Sequence, residues 1–351
     1  MTARELVSSG LKVAIFDSKT VGSESSWAGG GILSPLYPWR ENLVLTELTA
    51  VSRALHSEIA RDLLDKTGID PEWQQCGMLL LNVDDSEDAR KWAKKHNFPI
   101  RQTGNDELEH DFSIKLQGCG ISLWMPEVAQ VRNPELIKAL KTYLIQSGVE
   151  IFEQTRVNHL NIKAGKLRKI ATTKGDFSSE STVVANGAWV SDLLPEIKIR
   201  PVRGQMLCYR GVQGFLKQIR LKNSIYLIPR KDGHILVGST VEEAGFDKAT
   251  TAEARILLSG KAEDILPGIN KFPLVKHWSG LRPATPSGIS YICPHPDIDG
   301  LYLNTGHFRN GILLAPGSAR LVADLILNRP PIVDPDPYQY KAPKSASSNV
   351  L

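Results

Sequence analysis

The sequence predicts an α/β fold: a Rossmann-like nucleotide-binding domain assembled from separated stretches of chain, with a mixed-sheet α+β domain inserted between them. Three observations predict it. Short apolar strands of the buried, parallel type stand near both ends of the chain, at 11–17, 182–185 and 300–305. A strand-rich, meander-like stretch fills 200–280 between them. Asp17 closes the first strand, where nucleotide-binding sheets place an acid.

The elements follow in order. Residues 3–10 read as the tail of a helix stopped by Gly10, and 11–17 as a β-rich run. Residues 21–35 form a loop dense in Ser and Gly. Leu45, Leu48, Val51, Leu55, Ile59 and Leu63 recur at helical spacing over 42–67, closed by Gly68. A strand at 76–83, a charged helix at 84–96 and a strand at 122–125 come next. Asn133-Pro134-Glu135 opens a helix that runs to Gly148, with Pro in its first turn. Extended segments are expected at 150–163, 167–173 and 180–185, parted by Ala164-Gly165 and Gly175-Asp176. Strands at 206–209, 225–229 and 234–239, a helix at 250–265 and a strand at 300–305 complete the pattern. An apolar helix from 311 to 328 is stopped by Pro330-Pro331, and a polar tail follows.

Composition narrows the class. The chain has 351 residues, enough for about two domains, with 42% hydrophobic and 23% charged residues, which excludes a mainly disordered chain. A net charge of +4, with the basic residues spread out, leaves no electrostatic footprint for nucleic acid. Cys76, Cys119, Cys208 and Cys293 lie far apart with no C-x-x-C pair, so reduced thiols and no metal centre are expected. No apolar run approaches the roughly 18 residues of a membrane span, and the first residues lack a signal-peptide layout. A cytoplasmic protein is the expectation.

Several stretches can carry chemistry. Asp17 suits a ribose, although a strand-final Asp also forms turns. The strand and G-x-G-x-x-G turn expected about 20 residues before such an acid would precede Arg4 and are not in the sequence. Ser25, Ser26 and the triplet Gly29-Gly30-Gly31 allow a backbone to approach a flat ligand or a phosphate, or simply flex. The run Gly306-His307-Phe308-Arg309-Asn310-Gly311-Ile312-Leu313 joins a strand to a helix, so free N–H groups and the helix dipole converge there on an anion or a ring carbonyl. Arg282 stands in an apolar, Pro-fixed turn, where its guanidinium matches a carboxylate or a structural ion pair. Tyr226 lies at the centre of an alternating strand. H-E-x-x-H, P-loop and G-x-S-x-G motifs are lacking.

From Thr2 to about Asp334 these blocks resemble the D-amino acid oxidase superfamily of FAD-dependent oxidoreductases, and within it the bacterial glycine oxidases of thiamine biosynthesis. The carrying stretches are 3–17, 24–35, 183–189, 280–283 and 306–316, the last being the most specific. The resemblance implies that Asp17 holds the adenosine ribose with Ser18 beside it. It assigns Ser25 and Ser26 to the cofactor phosphates or ribityl chain, and the Val157 backbone to adenine. Gly30, Gly31 and Ile32 are implied to lie along the flavin, with His307, Phe308, Arg309, Asn310, Gly311, Ile312 and Leu313 at its pyrimidine end. Arg282 and Arg309 are implied to meet the substrate carboxylate, and Tyr226 to line the pocket. Segments 1–66, 134–196 and 281–334 are assigned to the FAD-binding domain, 67–133 and 197–280 to the substrate domain, and 335–351 to a tail.

The activity implied is oxidative deamination of glycine or a small amine, with hydride transfer from Cα to flavin N5 and reoxidation by O2 to H2O2. A hand-off of the glycine imine to a thiazole synthase goes with it, and a homo-oligomer is compatible with it. Ser224 and Val241 depart from larger side chains in some relatives, which leaves a sarcosine oxidase-like enzyme or a D-amino acid dehydrogenase as alternatives. The absent first strand points to a start upstream of Met1, or else to an inactive shortened product.

Overall fold

A computed structural model describes residues 1–112 and 120–341, so Cys119 lies outside the described residues. Near the chain's start, Ala14–Phe16 pairs in parallel with Glu150–Phe152. Thr182–Val184 pairs in parallel with Leu301–Thr305, which also pairs antiparallel with Tyr291–Pro294. These are two separate ladders. Four helices, Thr2–Ser8, Leu43–Thr67, Asn133–Gln146 and Gly311–Ile326, pack with these ladders around Leu48, Leu63, Leu136, Leu313 and Leu321. The long helix has the ends its sequence predicts. The Asn42 side chain accepts from the Val44 N–H, and Gly68 takes the left-handed conformation with φ 71°.

The largest sheet among the described residues has eight strands. Their order is Leu274–Ala284, Arg200–Arg210, His234–Gly238, Ile225–Pro229, Ile219–Lys222, Met78–Leu81, Ser122–Met125 and Arg101–Thr103. Its pairings are antiparallel except for Ile219–Lys222 with Met78–Leu81. That parallel contact joins the stretches 78–125 and 200–284 in one sheet. The Ala252–Ile265 helix covers one face through Leu258, Ala262 and Ile265.

Several expectations are corrected. Arg282 lies inside the strand Leu274–Ala284 rather than in a turn. The strand is at the sheet edge, which tolerates Pro283, here directly opposite Pro201. The strand expected at 206–209 runs over Arg200–Arg210, because neighbours pair with it on both sides. Ile219–Lys222 is a strand the pattern did not suggest. The extended run at 150–163 breaks at Gln154, whose φ is 52°. Gly77, with φ 69°, interrupts the strand at 76–83, and a Cβ there would sit 1.9 Å from the Trp124 ring. Gly175 and Asp176 belong to the strand Gly175–Phe177 instead of parting two others. Within the segment 335–351, the chain stays packed to residue 340. Tyr338 is 2% exposed and donates to the Val44 carbonyl.

Candidate active site

Alternate residues of a strand share a face, and two strands use this to seat the loop that carries Ser25 to Gly31. Trp278, Gly280 and Arg282 share one face. The Trp278 indole donates to the Ala28 carbonyl at 3.0 Å. A Cβ on Gly280 would stand 2.5 Å from the Ala28 Cβ, so the loop lies directly on the sheet there. Tyr226, Ile228 and Arg230 share a face of the second strand. A Cβ on Gly30 would meet Ile228 at 2.7 Å and Tyr226 at 3.2 Å.

The Arg282 guanidinium is held by neutral acceptors. Nη2 donates to Ser239 Oγ at 2.6 Å, and Nη1 to the carbonyls of Thr240 (3.2 Å) and Arg203 (3.4 Å). It lies against the Gly204 backbone, where a Cβ would stand 2.2 Å from Nη2. No carboxylate forms an ion pair with it among the described residues. Burial pulls its pKa below the ordinary arginine value, the Tyr226 hydroxyl opposes that, and the Arg309 charge adds to it. Tyr226 and Arg282 are therefore neighbours, and the turn that carries Arg309 adjoins the Arg282 strand through the Ala284–His307 bridge. Tyr226 is 9% exposed. Arg309, in the single turn Phe308–Asn310, faces solvent and also acts on Glu41, whose carboxyl is pushed up by burial. Ser224 and Val241 are exposed, and the Ser224 N–H donates to the Tyr37 hydroxyl at 3.4 Å.

The 306–313 run sits as expected between the strand Leu301–Thr305 and the helix Gly311–Ile326. Gly306, with φ 80°, packs so closely that a Cβ would stand 2.3 Å from the Thr285 methyl. The Asn310 side chain makes no cap bond, so the first N–H groups of the helix stay free of a side-chain acceptor. His307 Nε2 pairs with Asn304 Oδ1 at 3.0 Å, while its buried Nδ1 has no partner. Behind it, His56 Nε2 lies 3.0 and 3.1 Å from the carbonyls of Ile312 and Leu313 and donates to them. Burial lowers both imidazoles to about 4, so both are neutral at pH 7. An imidazole held neutral in the fold stabilises it above the ordinary pKa near 6.5. That stability disappears as pH falls from there towards 4, at about 3 kcal/mol per imidazole. Thermal melts from pH 7 to 4.5 are expected to show this loss, and His56→Gln, which keeps an N–H donor, to remove about half of the slope.

On the nucleotide side, the Asp17 carboxylate accepts from the Lys19 N–H at 2.8 Å, so the turn-forming role is realised. Burial pushes its pKa up, against the N–H groups of Lys19 and Gly22. The Thr155 N–H donates to the Asp17 carbonyl at 2.8 Å, which brings the start of Val157–Lys163 to the same strand end as Asp17 and Ser18. Ser25 and Ser26 open the short helix Ser25–Ala28, whose N-terminus also lacks a side-chain cap. Asn133 Nδ2 holds the Ser26 carbonyl at 2.8 Å, and its buried Oδ1 is unpartnered.

Sequence reasoning missed Arg230, Gln130, Ser239, Gly204 and Glu41. Arg230 had a signal, since alternation puts it on the face of Tyr226. The others are brought in by tertiary packing, which the local sequence does not show.

Parallel strand pairs near both ends of the chain, two helix starts without a side-chain cap and a guanidinium with no carboxylate partner beside one glycine loop are the features of a nucleotide-cofactor oxidoreductase. Residues 1–325 match the model of the family described as FAD dependent oxidoreductase. A glycine oxidase of Pseudomonas aeruginosa is 43% identical over 343 residues, 96% of this chain and 94% of that protein. A bifunctional protein ThiO/ThiG of Synechocystis is 30% identical, over 91% of this chain and 48% of its own length. A crystal structure of glycine oxidase from Geobacillus kaustophilus superposes with a TM-score of 0.91 at 28% identity, covering 97% of this chain and 94% of that one. The chain belongs to the FAD dependent oxidoreductase family.

The residues present fit that cofactor. The unpartnered acceptors His307 Nδ1 and Asn133 Oδ1 suit N–H and O–H donors of such a group, while the side-chain-free loop at Gly30 and Gly31 and the helix start at Gly311 suit a flat ring with electron-rich carbonyls. Among the described residues there is no cluster of metal ligands, and no helix is long and apolar enough to cross a membrane.

Proposed function

We propose that the protein oxidises glycine, or a closely related small amino acid, to its imine. FAD, when bound, would supply the two-electron chemistry, with the Cα hydride and an amine proton leaving the substrate and ending, as two electrons and two protons, on O2 as H2O2. One observation carries the substrate side: Arg282 is desolvated beside Tyr226 and has no carboxylate of its own. A substrate carboxylate supplies the missing anion, and a bidentate grip orients Cα. Arg309 adds a second positive charge at the solvent side. Tyr226 closes the pocket wall. Asp17, Ser18, Ser25, Ser26 and the Val157 backbone would hold the adenosine and phosphates. Gly30, Gly31, Ile32 and His307 to Leu313 would hold the ring, with the helix dipole favouring its reduced, anionic form.

The ThiO/ThiG relative supports a further step, delivery of the imine to a thiazole synthase. Work in the cytoplasm is compatible with free Cys76, Cys208 and Cys293. The test is anaerobic bleaching of the flavin by glycine, followed by glycine-dependent H2O2 in air, with sarcosine and D-alanine as comparators. A holoprotein that none of the three bleaches would remove the reading.

A further inference from the structure

Arg230 ends the strand face that carries Tyr226, and it is only 7% exposed. Its Nη1 donates to Gln130 Oε1 at 2.7 Å and to the Val131 carbonyl at 2.9 Å, and its Nη2 to the Gly30 carbonyl at 2.8 Å. Gln130 is held in turn, its Nε2 donating to the Pro229 carbonyl at 2.7 Å. No carboxylate forms an ion pair with Arg230 among the described residues, and burial draws its pKa down to about 10. A cation buried without an anion persists only where hydrogen bonds replace its water. Here every acceptor lies on or beside the Gly30 loop, and that loop is laced to the same segment. The Val131 N–H donates to the Gly31 carbonyl, and the Leu33 N–H to the Ala129 carbonyl, both at 2.9 Å.

The orientation has a consequence. In a trans peptide the N–H points opposite to the C=O. With the Gly30 carbonyl turned to Arg230, the Gly31 N–H faces away from it. That N–H donates to nothing among the described residues, although Gly31 is buried. Gly31 has φ 77°, and a Cβ would stand 2.1 Å from the Val131 carbonyl, so the loop has little room to adopt another path.

We propose that Arg230 is a positioning residue: it turns the Gly30–Gly31 peptide so that the Gly31 N–H is presented as a donor to the cofactor ring. This rests on the reading that places residues 30 to 32 along the flavin. The test titrates FAD onto apoprotein of Arg230→Lys, Arg230→Met and Gly31→Ala by fluorescence, and records the visible band of the bound flavin. Lys keeps the charge but cannot fork to three acceptors. Arg230→Lys is therefore expected to melt near wild type without FAD, yet to bind FAD about tenfold more weakly, with a shifted band, as the loss of one hydrogen bond requires. Arg230→Met is expected to lose both stability and affinity, and if it does not fold, Arg230→Lys decides. Wild-type affinity and band in the Lys variant, with both lost in Gly31→Ala, would mean that the loop meets the ring but Arg230 does not set it. Unchanged affinity and band in Gly31→Ala as well would overturn the placement of the loop itself.

Discussion

Arg282→Met is expected to yield a folded protein that still binds FAD but has lost about 10²- to 10³-fold in kcat/KM for glycine. That is the usual cost of removing one partner of a buried, hydrogen-bonded charge pair. Most of the loss should appear in KM, because the guanidinium grips a carboxylate that stays charged throughout the reaction. Folding should survive, since Arg282 neutralises no acid of the protein. Its removal leaves the Ser239 hydroxyl and the Thr240 carbonyl without this donor, while the Arg203 carbonyl keeps the Glu242 N–H at 2.9 Å. Arg282→Lys keeps the charge but loses the fork, and should fall between the two. Steady-state kinetics beside the flavin absorbance of the same sample checks this. An unchanged kcat/KM would show that the carboxylate binds elsewhere.

Gly204→Ala is expected to separate activity from stability. The added Cβ would stand 2.2 to 2.4 Å from Nη2, Nη1 and Cζ of Arg282. Those atoms are the far end of a flexible side chain, so the clash is relieved by swinging the guanidinium out. The strand loses little and even gains, since Ala in a strand is favoured over Gly by roughly 0.5–1 kcal/mol. Once displaced, Arg282 leaves the acceptors at Ser239, Thr240 and Arg203. KM for glycine should rise about tenfold or more while Tm stays within a few degrees. A variant with wild-type KM would mean that the guanidinium position on the Gly204 backbone is not the one that binds substrate.

Where local chemistry decided the structure, the sequence was readable. Gly68 marked the end of the long helix, and Asn133-Pro134 the start of another. The strand–loop–helix run from 301 to 326 was visible from its apolar strand, its polar loop and its apolar helix. Arg282 stood out as a charge among apolar neighbours, but Gly280 and Pro283 disguised its strand as a turn. The disguise works because Gly and Pro do mark turns locally, while edge-strand tolerance of Pro depends on a neighbour that the local pattern does not show.

The site residues divide in the same way. Sequence alone determined which residue types and which local geometries were available: an acid at a strand end, a glycine loop, an uncapped helix start, and three side chains suited to an amino acid. Tertiary structure decided which of them meet and what holds them. Arg230 reaches a carbonyl 200 positions away, and Arg282 a hydroxyl 43 positions away. Strand pairing sets Gly204 opposite Gly280 and Tyr226 opposite Gly238. The physical reason is that periodicity records which face of an element is buried, whereas register and hydrogen-bond partners arise only when distant segments pack together and each buried polar group must find an acceptor.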